Sequence, residues 1–459
     1  AAPFERVDYE DARSTSPVGF SDDGKTLYWV DARGRDKTAF FAQDLASGEK
    51  RLLAADARAD IAGVLTDPIT SGPIAYRINY LTPQYIALDP ALQPDFDFLD
   101  ANLTGSWTIV SQTDANDVWI IVTDSVTAPV AVYLYERKTR NLTKLYTMRP
   151  ELEGMPLVPM TPLEIRARDG LTLVSYLTLP HGFSMTQKPP RPLPLVLFVH
   201  GGPWERDDFG YNSLHQWLAN RGYAVLSVNF RGSTGFGKSF VAASDGEWGA
   251  RMQDDLFDAV DMLAGESLID PARVAILGGS YGGYAVLAGL AFTPDRFICG
   301  VDIVGPSNLE TLLASIPPYW EPMKAMFHRA VGDPATPEGR ALLKVRSPLH
   351  KASAIVRPLL IGQGANDPRV KQAESDQLAA ALEASQTPLT YVLYPDEGHG
   401  FARPTNSIAF WAITENFLAT YLGGRAEPIG DALEQSSAIV KAGADHVRGL
   451  QQAQSAREA

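Results

Sequence analysis

The sequence predicts an α/β fold, a doubly wound and mostly parallel sheet, preceded by a separate all-β region. Three observations carry that expectation. Beyond residue 160, fully apolar runs alternate with stretches of helical period, as parallel strands do when helices cover both faces of their sheet. Before residue 150 the apolar runs are short, alternate with polar residues and show little helical period. Pro156 to Pro162 lies between the two patterns and is proline-rich, as a linker is. At 459 residues the chain suits two or three domains with large cores.

In chain order, strands are expected first at Thr26 to Val30, Ala39 to Asp44, Pro73 to Tyr80, Trp107 to Ser111, Val118 to Thr123 and Val130 to Tyr135. Phe41 to Leu52 and Tyr133 to Leu145 look related, each a strand, a charged turn and another strand. Their offset of about 92 residues is twice the roughly 40 to 50 of a propeller blade. Residues 1–155 are therefore expected to hold about three blade-like sheets. Closed rings use about four to eight blades, so this would be an open, partial β-propeller or the end of a longer one. A β-sandwich or meander would give the same alternation.

Residues 156–424 read as the doubly wound domain. Leu163 to Arg168 and Leu171 to Leu179 flank Asp169-Gly170, a hairpin signal. The apolar strands follow at Leu193 to Val199, Ala224 to Asn229, Val274 to Leu277, Gly300 to Val304, Leu359 to Gly362 and Thr390 to Tyr394. Helices such as Asp254 to Ala264 and Ser407 to Leu422 fall between or after them. Gly423 and Gly424 stop the last helix, and 425–459, polar and rich in Ala and Gln, is expected to be a weakly ordered tail or peripheral helix.

Charge narrows the partners. Lys plus Arg is 40 against 54 for Asp plus Glu, a formal charge of -14, which opposes wrapping nucleic acid or adhering to anionic lipid. Cys299 is the only cysteine, which rules out an intrachain disulfide and a cysteine-based metal site. No apolar run approaches the roughly 18 to 20 residues of a membrane span. The first residues, Ala1-Ala2-Pro3-Phe4-Glu5, lack the basic and apolar regions of a signal peptide. A soluble protein, cytoplasmic or periplasmic, is expected, and the missing initial methionine suggests a processed form or a fragment.

The chemistry centres on Gly278-Gly279-Ser280-Tyr281-Gly282, which fits G-x-S-x-G. Small residues there let a strained strand-to-helix turn lift a serine hydroxyl clear at the carboxyl edge of a sheet. A serine hydroxyl is a poor nucleophile at neutral pH, so it needs a neutral imidazole to take its proton and a carboxylate to hold that imidazole. Of seven histidines, His399 stands just past a strand and before the last long helix, where a loop reaches the sheet's carboxyl edge. His181, His215, His328, His350 and His446 fall in linker, helix or tail contexts and read as structural. Asp367 follows the strand beginning at Leu359 and supplies the acid, whereas Asp396 shares the histidine's loop and Asp302 lies inside an apolar run. The order Ser, Asp, His is that of α/β-hydrolases. Phe198 to Trp204, containing His200-Gly201-Gly202-Pro203, could bring a backbone N–H to the oxyanion of a tetrahedral intermediate, with Tyr281 N–H as the second donor.

Taken together, His200-Gly201-Gly202-Pro203, Asn229 to Gly237, Gly278 to Gly283, Asp367 to Val370 and Glu397-Gly398-His399-Gly400 resemble the prolyl oligopeptidase family of serine peptidases, most nearly its acylaminoacyl peptidase-like branch. The resemblance covers about residues 160 to 424. It implies Ser280 as nucleophile, His399 as base, Asp367 as orienter, and Tyr281 and Gly202 as oxyanion donors. By the same resemblance Arg369 would hold the substrate backbone, and Val370 and Trp320 would line the primary pocket. Other branches carry a tyrosine where this chain has His200, so a tyrosyl hydroxyl donor is absent. The family's N-terminal propeller restricts entry to peptides; here only about three blades are expected. No Glu-Glu pair of the kind that captures a free N-terminus in dipeptidyl peptidases stands in residues 1–150.

The function expected is hydrolysis of peptide bonds in short peptides through an acyl-enzyme, with no cofactor or metal. Short peptides are the expected partners, rather than nucleic acid or membrane, with a homo-oligomer or a missing N-terminal propeller segment as further candidates. A carboxylesterase would use the same triad. A propeller-type binding module is disfavoured by the triad. Gly232 to Ser239 also satisfies the nucleotide-binding pattern G-x-x-x-x-G-K-S, although Phe236 and Phe240 would crowd a phosphate loop.

Overall fold

Three antiparallel sheets succeed one another along the first part of the chain in the computed structural model, which describes residues 5–8 and 10–458. The first is a meander of β1 (Ser16–Phe20), β2 (Thr26–Asp31), β3 (Ala39–Asp44) and β4 (Lys50–Ala55). The second pairs β5 (Ile61–Thr66), β6 (Pro73–Asn79) and β7 (Pro83–Ala87), and is followed by helix α1 (Gln93–Asn102). The third pairs β8 (Ser106–Gln112), β9 (Val118–Asp124), β10 (Ala131–Glu136) and β11 (Asn141–Thr147). Alternation drives this arrangement: in β9, Trp119, Ile121 and Thr123 turn inward while their neighbours do not. Phe40, Ala54 and Ile61 form one core between the first two sheets. Ile74, Phe96, Leu99, Trp107, Trp119 and Tyr135 form a second, larger one. The helix α1 was not anticipated; Leu92, Phe96 and Leu99 give it a buried stripe at helical spacing.

These sheets form one unit, comprising the described residues up to Pro162 together with Asp208–Gln216 and Ser233–Ala242. The second insertion corrects the nucleotide-loop reading. Lys238, in the short helix α3 (Lys238–Ala242) that follows α2 (Ser213–Asn220), pairs its Nζ with Asp11 at 2.6 Å. Gly237 N–H donates to Asp60 at 3.0 Å and Ser239 N–H to Asp36 at 2.8 Å. These three donors, which a phosphate would need, are occupied by carboxylates.

The second unit comprises Leu163–Asp207, Trp217–Gly232 and the described residues from Ala243 onward. Its sheet is built from β12 (Met160–Arg166), β13 (Thr172–Thr178), β14 (Leu193–Val199), β15 (Ala224–Val228), β16 (Ile269–Gly279), β17 (Cys299–Ile303), β18 (Leu359–Gly364), β19 (Leu389–Tyr394) and β20 (Ile439–Ala442). The spatial order is β12-β13-β15-β14-β16-β17-β18-β19-β20. The strands from β15 to β19 run parallel, with β13 and β20 antiparallel at the flanks. The order reverses beside β14, as in a doubly wound sheet, so loops at the carboxyl ends of the central strands converge.

Helices α4 (Arg251–Gly265) and α5 (Tyr281–Phe292) pack against β16, and Gln253 Nε2 of α4 donates to Ala285 O of α5 at 3.2 Å. The α6 (Leu309–Ala314), α7 (Lys324–Val331) and α8 (Pro337–Arg346) helices lie between β17 and β18 in the chain, and α9 (Gln372–Ala384) between β18 and β19. The long α10 (Pro404–Tyr421) begins with proline at its first position, where a missing N–H has no consequence. Its Phe410, Ile413 and Phe417 are fully buried with Ala275, Leu277, Val301 and Leu360 of the sheet. Burial of each such side chain stabilises by about 1.5–3 kcal/mol.

Of the two readings of 425–459, a weakly ordered tail or a peripheral helix, the first is corrected, and a helix does close the segment at Leu450–Glu458. Ile439–Ala442 adds β20 to the sheet edge, and Ile429, Leu433, Val447 and Leu450 are buried in the same core, the last at the start of α11 (Leu450–Glu458). These apolar residues are too widely spaced to show a local pattern; the pairing with β19 gives them their place. Among the described residues no helix is long and apolar enough to cross a membrane.

Candidate active site

The strand β16 ends in glycine, and Ser280 follows it with φ 58° and ψ −118° before α5 begins at Tyr281. A non-glycine residue in that region is strained by about 1–3 kcal/mol and persists only where its surroundings hold it. Here Ser280 N–H donates to Ile303 O at 2.8 Å, and Ser280 O accepts from Tyr284 N–H at 3.0 Å. The flanking glycines are required by close approach. A Cβ on Gly282 would lie 2.1 Å from Val199 O, and one on Gly278 would lie 2.6 Å from the Gly282 backbone. Tyr281 opens the helix, so its N–H is among those without an intrahelical acceptor.

The loop after β14 runs beside this turn. A Cβ on Gly201 would be 3.1 Å from Gly279 O and 3.4 Å from Ser280 Cβ. Gly202 has φ +110°, and a Cβ there would be 2.7 Å from Trp204 N. Gly202 therefore requires glycine, a side chain at Gly201 would press on the serine turn, and the Gly201-Gly202 backbone is brought alongside the serine.

The clearest interaction joins two other loops. His399, after β19, places Nδ1 2.6 Å from Asp367 Oδ2, after β18. Asp367 is 2% exposed, and its other oxygen, Oδ1, accepts Arg369 N–H at 2.8 Å and Val370 N–H at 2.9 Å. Those two bonds fix the carboxylate plane and turn Oδ2 to the imidazole. A carboxylate can only accept, so Nδ1 carries the proton and Nε2 is left as the basic nitrogen. Ser280, Asp367 and His399 therefore stand at the carboxyl ends of β16, β18 and β19.

Glu397 is the functional neighbour that sequence reasoning missed. It is 3% exposed, and its carboxylate accepts Ala402 N–H at 3.0 Å, Arg403 N–H at 2.9 Å and Asn406 Nδ2 at 2.8 Å. The loop bearing His399 is thereby tied to the first turn of α10. The Glu-Gly-His motif contained the residue but carried no signal of this use. Asp302 on β17 is 1% exposed, with Oδ1 accepting Gly305 N–H at 2.8 Å. Burial pushes its carboxyl up to about 7.

Arg369 and Trp320 do come together, the guanidinium lying 5.6 Å from the centroid of the indole. Among the described residues that guanidinium makes no hydrogen bond or ion pair. Trp320 stacks on Phe327 at 5.4 Å, and Phe327 meets Trp204 edge-on at 5.3 Å. Val370 is 3% exposed and acts on Asp367 through its backbone N–H. The remaining histidines have other surroundings: His328 lies 3.3 Å from Asp333, and burial pushes His215 down to about 3. Among the described residues no group of three or more His, Cys, Asp or Glu side chains could hold a metal ion.

A doubly wound sheet carrying a strained serine turn, with a histidine–aspartate pair on later loops, after blade-like sheets, defines an α/β-hydrolase with propeller-type blades. Residues 209–425 match the sequence model of the prolyl oligopeptidase family, and this part of the chain is a domain of that family. It is 54% identical over 452 residues to dipeptidyl aminopeptidase BIII of Pseudoxanthomonas mexicana, covering 98% of this chain and 66% of that protein. It is 39% identical over 457 residues to dipeptidyl peptidase family member 6 of Caenorhabditis elegans, covering 95% of this chain and 62% of that one. The chain thus spans less than two thirds of either relative's length. Among solved structures, a puromycin-hydrolyzing peptidase of Mycobacterium tuberculosis shares the fold, with a TM-score of 0.76 at 23% identity over 90% of this chain and 63% of that one.

Proposed function

We propose that this protein is a serine peptidase that cleaves short peptides, with Ser280 as nucleophile, His399 as general base and Asp367 as orienter. The Asp367–His399 hydrogen bond at 2.6 Å is the observation that carries the reading, because it leaves Nε2 as the free base in the tautomer the reaction needs. Ser280 Oγ adds to the scissile carbonyl carbon while its proton passes to Nε2. The carbonyl electrons move onto oxygen, which the N–H groups of Gly202 and Tyr281 stabilise. Collapse breaks the C–N bond, the amine leaves with the proton from His399, and an acyl-Ser280 ester remains. Water, deprotonated by the same imidazole, then releases the acyl part and restores Ser280. No step needs a metal or cofactor. Arg369 holds a substrate carbonyl or carboxylate, with Trp320 and Val370 bordering the side-chain pocket.

The names of the two relatives favour release of dipeptides from a free N-terminus over cleavage after a blocked one. The test compares dipeptidyl anilides, their N-acetylated forms and short acyl esters. Free-amine anilides should exceed the acetylated forms in kcat/KM by at least about tenfold, the factor that roughly 1.4 kcal/mol of differential binding gives. Preference for the acetylated forms would assign acylaminoacyl action, and turnover of esters alone would assign a carboxylesterase.

A further inference from the structure

We propose that His200 and Phe230 are positioning residues of the oxyanion hole, forming one stack that holds the Gly201–Gly202 peptide and Tyr281 at a fixed separation. The proposal rests on the serine-peptidase reading and adds a mechanism for its two N–H donors.

His200 Nδ1 lies 2.7 Å from Gly201 O. A carbonyl oxygen accepts only, so Nδ1 is protonated and donates. The acceptor matters because Gly201 C=O and Gly202 N–H belong to one planar peptide group. A hydrogen bond on the oxygen sets the orientation of that plane, polarises the unit and so aims the N–H on its opposite side. Glycine backbone has the widest conformational freedom, so a hydrogen bond on this carbonyl restricts the tilt of a Gly-Gly segment that stands at φ +110° at Gly202.

The same imidazole lies flat on Phe230, with centroids 4.4 Å apart and planes 13° apart. Phe230 is 0% exposed and follows β15, the neighbour of β14 in the sheet. Its ring is also 5.3 Å from that of Tyr281, whose N–H is the other donor. Trp248 meets Tyr281 edge-on at 4.7 Å. At the packing density of a protein interior such a stack has little slack, so a shift of one donor is transmitted to the other. Phe230 is itself anchored from both sides. Asn229 Oδ1 accepts Asp207 N–H at 2.7 Å, and Arg231 binds Asp255 at 2.6 and 2.8 Å. Burial pushes the His200 imidazole down to about 4, so it stays neutral and keeps its Nδ1–H role at working pH.

The test uses His200→Phe, which keeps a stacking ring but removes the donor, and Phe230→Leu, which keeps bulk but removes the flat face. Each is assayed on a dipeptidyl anilide and with a matching peptide aldehyde, which adds to Ser280 Oγ and forms a tetrahedral adduct. Removing one oxyanion donor costs about 10²–10³ in kcat, and a misaimed donor should cost about 10- to 100-fold with KM within about twofold. Aldehyde affinity should fall by the same factor, and the double variant should fall less than the product of the singles. The proposal is overturned if either folded variant keeps kcat and aldehyde affinity within about threefold of the parent. It is equally overturned if KM alone rises. Should Phe230→Leu fail to fold, His200→Phe decides the matter by itself. Ser280→Ala, run alongside, separates failures: retained turnover there would refute the serine reading, not the stack.

Discussion

Replacing Asp367 by asparagine should leave the fold intact and remove nearly all activity. The reason lies in which oxygen does what. Oδ1 accepts two backbone N–H groups, from Arg369 and Val370, at 2.8 and 2.9 Å. An asparagine that turned its NH₂ toward those donors would leave them unsatisfied, at about 1–3 kcal/mol each. Its carbonyl oxygen therefore stays on that side, and the NH₂ faces His399 Nδ1 from the former Oδ2 position, 2.6 Å away. Donor against donor is untenable, so Nδ1 gives up its proton and becomes the acceptor. The neutral imidazole then carries its proton on Nε2, where the serine proton should go. The same tautomer error in a chymotrypsin-type triad lowers kcat about 10⁴-fold, equivalent to roughly 5 kcal/mol, and a loss of that order is expected here. The assay is kcat/KM on a dipeptidyl anilide beside a thermal melt. Tm should move by less than about 4 °C. Activity within about tenfold of the parent would refute the assignment of Asp367 as orienter.

Glu397→Ala removes the acceptor of three donors around the His399 loop; it should lower stability by about 2–4 kcal/mol and reduce kcat, read by denaturant melts and kinetics, and an unchanged melt would contradict the anchoring role. Asp302 gives a pH prediction. Its carboxyl is raised to about 7 when folded from 3.8, so the folded state keeps a proton that the unfolded chain releases. The stability tied to this proton is complete below pH 3.8, declines as pH rises toward 7 and is lost above it, by at most about 4 kcal/mol. Asp302→Asn should flatten that slope in melts taken on both sides of this window, and parallel profiles for the two proteins would count against it. Millimolar ATP with magnesium should give no thermal shift, since Lys238, Gly237 and Ser239 are already held by Asp11, Asp60 and Asp36; a ligand at 100 times its Kd would stabilise by about 2.7 kcal/mol.

The parts legible in the sequence are those whose physics is local. Val274 to Leu277 and Leu359 to Gly362 are apolar without interruption because parallel strands here are buried on both faces, and they appear as β16 and β18. Gly278 to Gly282 announces the serine turn because no side chain fits where Gly282 approaches β14 and Gly278 approaches α5. Asp367 and His399 could be chosen because strand ends define where a doubly wound sheet gathers its loops. What stayed hidden depends on distant partners. Gly232 to Ser239 fits a phosphate loop letter by letter, and it is Asp11, 227 residues away, and the Ala32 carbonyl that show how its lysine is used. The strand β20 has no pattern of its own until β19 pairs with it. Glu397 looks like a loop carboxylate until Ala402, Arg403 and Asn406 fold back onto it. Phe230 sits inside a recognisable motif, yet its contact with His200 and Tyr281 spans three separate chain segments.

Labelling with a fluorophosphonate, followed by peptide mapping and parallel turnover assays of the parent and Ser280→Ala, tests the central claim most directly. A nucleophilic Ser280 predicts a single adduct on that residue that abolishes turnover, with neither adduct nor turnover in Ser280→Ala. An adduct on another residue, or turnover that survives the substitution, would contradict it.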